Sequence, residues 1–179
     1  MALNFRLASE HDIPRVVAIL TECAIYTQKF EVDNAWPIPY PVEEITAAVK
    51  QGQTYVVESD EKQVVATFRL IFSDPEFWGW LEEIEKEARK VTYLHKLAVS
   101  RAFTHQGIGE AIMEWVEDFA KMNICFCIRL DCSATNQFIQ KYYEAKGFKR
   151  IRTVNIVREG KKRQYLLMEK PLQIFAPSQ

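Results

Sequence analysis

The chain has 179 residues, of which 48% are hydrophobic and 26% charged, with a formal net charge of −1. That length holds one domain with a sound core, and the near-neutral balance gives no electrostatic ground for binding nucleic acid or an anionic membrane surface. No apolar run approaches the roughly 18–20 residues that cross a bilayer. The start, Met1 to Arg6, lacks the apolar core of a signal peptide, so a cytoplasmic protein is expected.

Residues 4–8 predict a first strand. Ser9-Glu10-His11-Asp12 resembles a helix capping box with Asp in place of Glu, and His11 is expected as a solvated first-turn residue. Ile13, Val17 and Leu20 mark the buried face of the first helix. From Tyr26 to Pro41 the periodicity dissolves into an aromatic loop with three prolines, each removing a backbone donor. Its aromatics form either a satellite cluster or part of a substrate wall.

A second helix is expected from Pro41 to Gln51, with Val42, Ile45 and Val49 inward and Gly52 as its stop. Thr54–Glu58 and 63–73 follow as strands, the second placing Val64, Ala66, Phe68, Leu70 and Phe72 on one face. Within residues 74–90, Leu81–Lys90 predicts a charged helix with Glu82–Lys86 and Glu85–Arg89 pairs. Phe77, Trp78, Trp80 and Leu81 either anchor a solvated insertion or belong to a lid or dimer contact.

Val91 to Met113 organises the rest. A β-rich run through Val99 leads by a polar turn into a helix carrying Ile108, Ile112, Trp115 and Phe119 on one face. Gly107 and Gly109 stand where that helix begins. The first amides of a helix have no internal partner and point outward along its dipole, so the backbone from Gln106 to Glu110 is suited to a phosphate or pyrophosphate. Glycine pairs also occur at turns that bind nothing. An ATP site is disfavoured, because no Gly-Lys-Ser/Thr element follows.

A further strand is expected over 124–132 and a helix over 136–146 ending at Gly147. Strands over 148–158 and 164–170 close the chain around the turn 159–162, and 171–179 forms a loose tail. Cys23, Cys125, Cys127 and Cys132 read as buried free thiols, because Cys-x-Cys-x4-Cys is not a usual zinc spacing.

Leu97-Ala98-Val99, a short turn and Gln106-Gly107-Ile108-Gly109 resemble the acetyl-CoA motif of the GNAT acyltransferases. Asn136, with Tyr143 seven residues on and Gly147-Phe148 after that, resembles the family's second motif, and Phe5-Arg6-Leu7-Ala8 to Asp12 resembles its first strand and helix start. Residues 26–41 and 74–90 are the least family-like. The resemblance implies an α/β GNAT fold: a single domain over 1–179 with a central mixed, mostly antiparallel sheet flanked by helices. It implies transfer of an acetyl group from acetyl-CoA to a primary amine by direct attack, with no metal. A longer acyl-CoA, or a non-catalytic CoA-binding module, stays open. Dimers are common in the family.

By the same resemblance the pantetheine arm lies along Leu97, Ala98 and Val99. Thr104, His105, Gln106, Gly107, Ile108, Gly109, Glu110, Asn136, Tyr142, Tyr143 and Lys146 are the expected cofactor contacts. Thr104 departs from the family's usual Arg or Gln, removing one side-chain contact to the pyrophosphate. The family's acid tyrosine falls on Tyr143, which is otherwise a core aromatic. For the base, His95 is the candidate, because an unperturbed imidazole titrates near neutrality. Tyr93 stands two residues before it, on the same face, with Leu97 continuing the alternation. This strand is also similar to that of the serotonin N-acetyltransferases, which carry a histidine at both places. Only His95 is kept, so neither a two-histidine relay nor an arylalkylamine acceptor follows. Trp36, Tyr40 and Trp78 are the candidates for an acceptor wall.

Overall fold

The computed structural model describes residues 2–29, 36–85, 90–158 and 160–173. The elements are β1 (Asn4–Leu7), a 3-10 turn (Glu10–Asp12), α1 (Ile13–Gln28), α2 (Val42–Lys50), β2 (Thr54–Glu58), β3 (Val64–Ile71) and α3 (Pro75–Glu85). They continue with β4 (Val91–Val99), a 3-10 turn (Arg101–Phe103), α4 (Ile108–Met122), β5 (Cys127–Ser133), α5 (Gln137–Ala145), β6 (Lys149–Arg158) and β7 (Lys161–Pro171). The strand order is β1-β2-β3-β4-β5-β7-β6. β4 and β5 are parallel, while β1/β2, β2/β3, β5/β7 and β6/β7 are antiparallel. This is the mixed, mostly antiparallel sheet that the family resemblance implies. Among the described residues, no helix is long and apolar enough to cross a membrane.

Two compact units make up the chain, Met1–Leu70 with His95–Ala111, and Ile71–Leu94 with Ile112–Gln179. The division falls inside β4, after Leu94, and inside α4, after Ala111.

In the first unit, the capping box forms as expected. Asp12 accepts from the Ser9 backbone N–H at 2.7 Å and from its hydroxyl at 2.8 Å. Arg6 donates to Asp12 at 2.7 Å and to Glu58 at 2.6 Å, and the guanidinium holds the Asp12 carboxyl well below the usual carboxylate range. The buried face of α1 is Ile13, Val16, Ile19, Leu20 and Ala24, with Val17 only half-buried. Fully burying such a side chain contributes roughly 1.5–3 kcal/mol. α1 runs on to Gln28, so Tyr26 and Thr27 are helical and the expected loop starts later; its residues 30–35 lie outside the described residues.

α2 ends as expected. Gly52, at φ +66°, donates to the Val49 carbonyl, and Gln53 donates to Ala48, closing a Schellman motif. Val42 is exposed in the first turn, and Ala48 takes an inward place beside Ile45 and Val49. The one-face alternation expected of β3 does not hold. Val65, Ala66, Thr67 and Phe68 are all buried, because both faces of this strand are covered, while Phe72 lies beyond the strand and is exposed.

In the second unit, α3 starts at Pro75, earlier than the sequence predicts. Pro75 lacks an N–H that the first turn leaves without a helical partner anyway. Glu82 folds back to accept from the Asp74 backbone N–H at 2.8 Å and the Ser73 hydroxyl at 3.1 Å. Lys86 and Arg89, the expected partners of Glu82 and Glu85, lie outside the described residues. The inward residues of α4 in this unit are Ile112, Met113, Val116 and Ala120, with Trp115 and Phe119 half-buried and stacked on each other.

β5 begins at Cys127, not Ile124. Ile124 sits at φ +58° just past α4, and Cys125 donates to the Ala120 carbonyl. The helix stop consumes the residues expected to open the strand. β7 in turn starts at Lys161 and includes Pro171, which pairs with Cys127, and Leu172 donates to Phe126 at 2.8 Å. The tail is therefore anchored past Pro171; residues 159 and 174–179 lie outside the described residues.

Candidate active site

The first unit carries the glycine turn. Ser100 donates its N–H to the Val65 carbonyl at 2.8 Å, and Phe103 to Ser100 at 2.9 Å, making a short 3-10 turn. Glu22 accepts from the Arg101 N–H at 3.0 Å, and the Arg101 guanidinium lies 3.5 Å from the Tyr26 ring centroid. The Thr104 hydroxyl donates to the Arg101 carbonyl at 3.1 Å, so this side chain closes the turn. His105 and Gly107 take positive φ, +62° and +74°.

The Gly107 carbonyl accepts the first helical bond of α4, from Ala111 at 3.0 Å, so Gly107 is the residue from which the helix is launched. A Cβ built on Gly107 meets no heavy atom within 4 Å. Glycine is required here for its backbone angle, and the space over the turn is open. Gln106 and Glu110 are exposed, Gly109 is half-buried and Ile108 is buried as the anchor of the first turn. An open helix start, whose first amides have no partner within the helix, is suited to an anion.

His95 opens the part of β4 that belongs to this unit and is half-buried. Lys96 follows at φ +54°, which interrupts the strand's alternation. The expected continuation of the His95 face to Leu97 therefore fails. Leu97 and Val99 are half-buried, Ala98 packs into the core with Val16, Leu20 and Val56, and the Val99 carbonyl accepts from the Cys23 thiol at 3.3 Å. Of the aromatics expected on an acceptor wall, Tyr40 is buried and Trp36 half-buried against it, their ring centroids 6.1 Å apart at 85°.

The second unit carries the second motif as one capped helix. The Asn136 side chain accepts from the Ile139 N–H at 3.0 Å, making Asn136 the N-cap of α5. At the other end Gly147, at φ +90°, donates to Glu144, and Phe148 donates to the Tyr143 carbonyl. Tyr143 and Phe148 then pack at 5.6 Å, the hydrophobic contact that accompanies this motif. The spacing Asn136, Tyr143, Gly147-Phe148 is thus the grammar of a nine-residue helix.

Tyr143 is buried, and burial pushes its phenol well above the ordinary tyrosine range, with Cys132, Tyr142 and Asp131 adding to the shift. It stays protonated and is a hydrogen-bond donor at neutral pH. Tyr142 packs edge-on to Tyr143, and Lys146 lies 5.4 Å from the Tyr142 ring centroid. Gln140, which sequence reasoning passed over, is buried and donates to the Ser133 and Ala134 carbonyls, tying α5 to the end of β5. Its signal was a polar residue on an otherwise inward helix position.

Tyr93 and Trp78 belong to a different arrangement. Arg129, on β5 and 2% exposed, donates to Glu169 and Glu85 at 2.8 Å each and to the Tyr93 hydroxyl at 3.2 Å. Its guanidinium lies 4.8 Å from the Trp78 ring centroid. Trp78, expected on an acceptor wall, is fully buried here. Burial and a hydrogen bond with Glu82 push the Tyr93 phenol far up, so it holds its proton at neutral pH. The ladder of β4 with β5 pairs Val91–Leu94 with Cys127–Leu130, which sets Tyr93 beside Arg129. All four cysteines are free; Cys125, Cys127 and Cys132 are buried as expected, and Cys23 is only half-buried. Burial raises the Cys23 thiol to about 11 and Cys127 to about 12, which makes both poor nucleophiles.

Residues 15–148 match the acetyltransferase (GNAT) family. The chain is 30% identical over 110 residues to the uncharacterized N-acetyltransferase YesJ of Bacillus subtilis (strain 168), covering 60% of this chain and 58% of that protein's length. Among solved structures it is similar to a GNAT-family acetyltransferase from Listeria monocytogenes 4b F2365, with a TM-score of 0.71 at 18% identity over 95% of each chain. It is also similar to a chain of the NatC complex bound to Gag peptide and CoA, with a TM-score of 0.69 at 15% identity over 97% of this chain and 100% of that one. With the family match running through the glycine turn and the Asn136–Phe148 helix alike, the chain belongs to the GNAT acetyltransferase family.

Proposed function

We propose that this protein is an acetyl-CoA-dependent N-acetyltransferase that moves an acetyl group onto a primary amine by direct attack. The observation that carries the proposal is the open, backbone-lined turn at Gly107, on a chain whose second motif folds as the capped α5 helix. CoA binding by one of the similar structures supports it. We read residues 1–179 as one acetyltransferase domain because the family match runs from 15 to 148 through both units, and we take the cytoplasm as its place of action.

In this reading the amides of Ile108, Gly109 and Glu110 receive the pyrophosphate over the open face of Gly107, flanked by His105 and Gln106. Leu97, Ala98 and Val99 offer backbone groups to the pantetheine arm. Asn136, Tyr142 and Lys146 complete the cofactor contacts. Acetyl-CoA supplies the thioester carbonyl that the amine attacks.

His95 removes the proton from the acceptor ammonium, directly or through a water, as an imidazole is suited to do near neutral pH. Tyr93, held protonated beside Arg129, is not used as the base. As the C–S bond breaks, Tyr143 donates its phenolic hydrogen bond to the developing thiolate. Its raised pKa weakens it as an acid in isolation. The second N–H proton of the collapsing tetrahedral adduct replaces the one that Tyr143 gives to sulfur, so the phenol is neutral before and after the step. The amide, CoA thiol and a proton passed to solvent balance the step.

The test is release of CoA thiol from acetyl-CoA with a panel of primary amines. His95→Gln should lower turnover at neutral pH by about 10²–10⁴-fold while acetyl-CoA affinity is kept. A pH–rate profile unchanged by that substitution would remove His95 from its role.

A further inference from the structure

Lys96 occupies the least comfortable backbone position in β4. At φ +54° it holds a long side chain in the left-handed region, which costs roughly 1–2 kcal/mol for a residue with a Cβ. The side chain placed there reaches three groups of the first unit. Its Nζ lies 5.7 Å from the Trp36 ring centroid, 5.2 Å from the Tyr40 ring centroid and 3.7 Å from a carboxylate oxygen of Glu44. Two aromatic rings and a carboxylate around one nitrogen form an arrangement that recognises ammonium groups.

The surrounding groups are held independently of the lysine. The Tyr40 hydroxyl donates to Glu44 at 3.0 Å, its backbone N–H donates to the Thr21 hydroxyl at 3.0 Å, and its ring lies in the core with Ile45 and Leu20. Trp36 packs edge-to-face on that ring. A pocket lined by Glu44, Lys96, Arg69 and Thr54 lies beside them, and the buried Thr54 hydroxyl has no hydrogen-bond partner among the described residues. A cage fixed by its own scaffold keeps its shape when the cation filling it changes.

We propose that Trp36, Tyr40 and Glu44 form an ammonium-binding subsite that Lys96 fills as a built-in ligand, so that the protein excludes acceptors carrying a second positive charge. The statement about acceptors rests on the acetyltransferase reading; the ammonium site does not. With Lys96 in place, the Glu44 charge is matched and the rings are covered. Without it, the Glu44 carboxylate and the ring faces that Lys96 covers lose that cation.

Tetramethylammonium chloride, titrated calorimetrically against sodium chloride at matched ionic strength, is the probe. Wild type should show no saturable binding. Lys96→Met should bind, and Lys96→Met/Glu44→Gln should bind at least about tenfold more weakly. Lys96→Gly, whose backbone accepts φ +54°, repeats the test if the methionine variant is unfolded. Saturable binding by wild type, or no binding by a folded Lys96 variant, overturns the proposal. So does unfolding of both variants, since Lys96 would then be a structural counterion. In the turnover assay, Lys96→Met should raise the kcat/KM ratio of a diamine to the matched monoamine about tenfold or more over wild type, and an unchanged ratio overturns the acceptor statement. Ammonium binding in a protein that acetylates no amine would sink the acetyltransferase reading while leaving the subsite standing.

Discussion

Each unit of this molecule places a cation against two aromatic rings and at least one carboxylate, and the two are built differently. Arg129 is 2% exposed, with Glu85 and Glu169 at 2.8 Å, the Tyr93 hydroxyl at 3.2 Å and Trp78 against its face. Lys96 keeps 18% of its side chain exposed, and the Glu44 carboxylate lies at 3.7 Å. A planar guanidinium with several donors in fixed directions is suited to permanent closure, whereas an ammonium is a point charge that another ammonium can replace. The first arrangement is a structural core; the second has the chemistry of a site.

The sharpest way to break this contrast is to remove the buried cation. Arg129→Met leaves Glu85 and Glu169 facing each other without a counterion. It should cost about 3 kcal/mol, the low end for a broken buried pair because both carboxylates keep some exposure. In a domain of this size that is a fall in Tm of roughly 6–12 °C, read by thermal unfolding followed by circular dichroism. A loss no larger than that of Lys96→Met would abolish the distinction.

Arg6 gives an intermediate case, half-buried over Asp12 and Glu58. Arg6→Met should cost about 2 kcal/mol at neutral pH. The Asp12 carboxyl is depressed in the folded protein by Arg6 and by the Ser9 bonds. Its stabilisation is therefore present above the unfolded value of about 4 and lost as pH falls below it. Wild type should lose stability on acidification below about pH 4, and Arg6→Met should lose less of it. Equal acid sensitivity of the two proteins would contradict the assignment. The smallest effect is expected at Lys96, where Lys96→Met should change stability by under about 1 kcal/mol, as for a partly exposed ion pair.

What the sequence made legible follows the same division. Gly52, Gly107 and Gly147 mark positive-φ positions at helix ends, and Asn136 marks an N-cap. Such demands are local and leave a residue at a fixed offset. The family motifs are legible for that reason. Arg129 is not, because Tyr93 and Glu85 lie 36 and 44 residues away along the chain and no local pattern joins them. Its only trace was an arginine inside an apolar strand. Trp78 and Tyr40 read as wall aromatics from composition, and tertiary packing buried them. The Lys96 cage escaped because a positive φ inside a strand at a lysine has no sequence signal, and Trp36, Tyr40 and Glu44 come from another part of the chain.

The central claim is that the turn launched from Gly107 holds the pyrophosphate of acetyl-CoA. Calorimetric titration of wild type and Gly107→Glu with acetyl-CoA, with ATP as the control, tests it directly. The account predicts saturable acetyl-CoA binding by wild type, none of ATP, and at least about tenfold weaker acetyl-CoA binding by a folded Gly107→Glu, through a strained φ and a negative charge at the helix start. Undiminished affinity in the folded variant, or no acetyl-CoA binding by wild type, would contradict it.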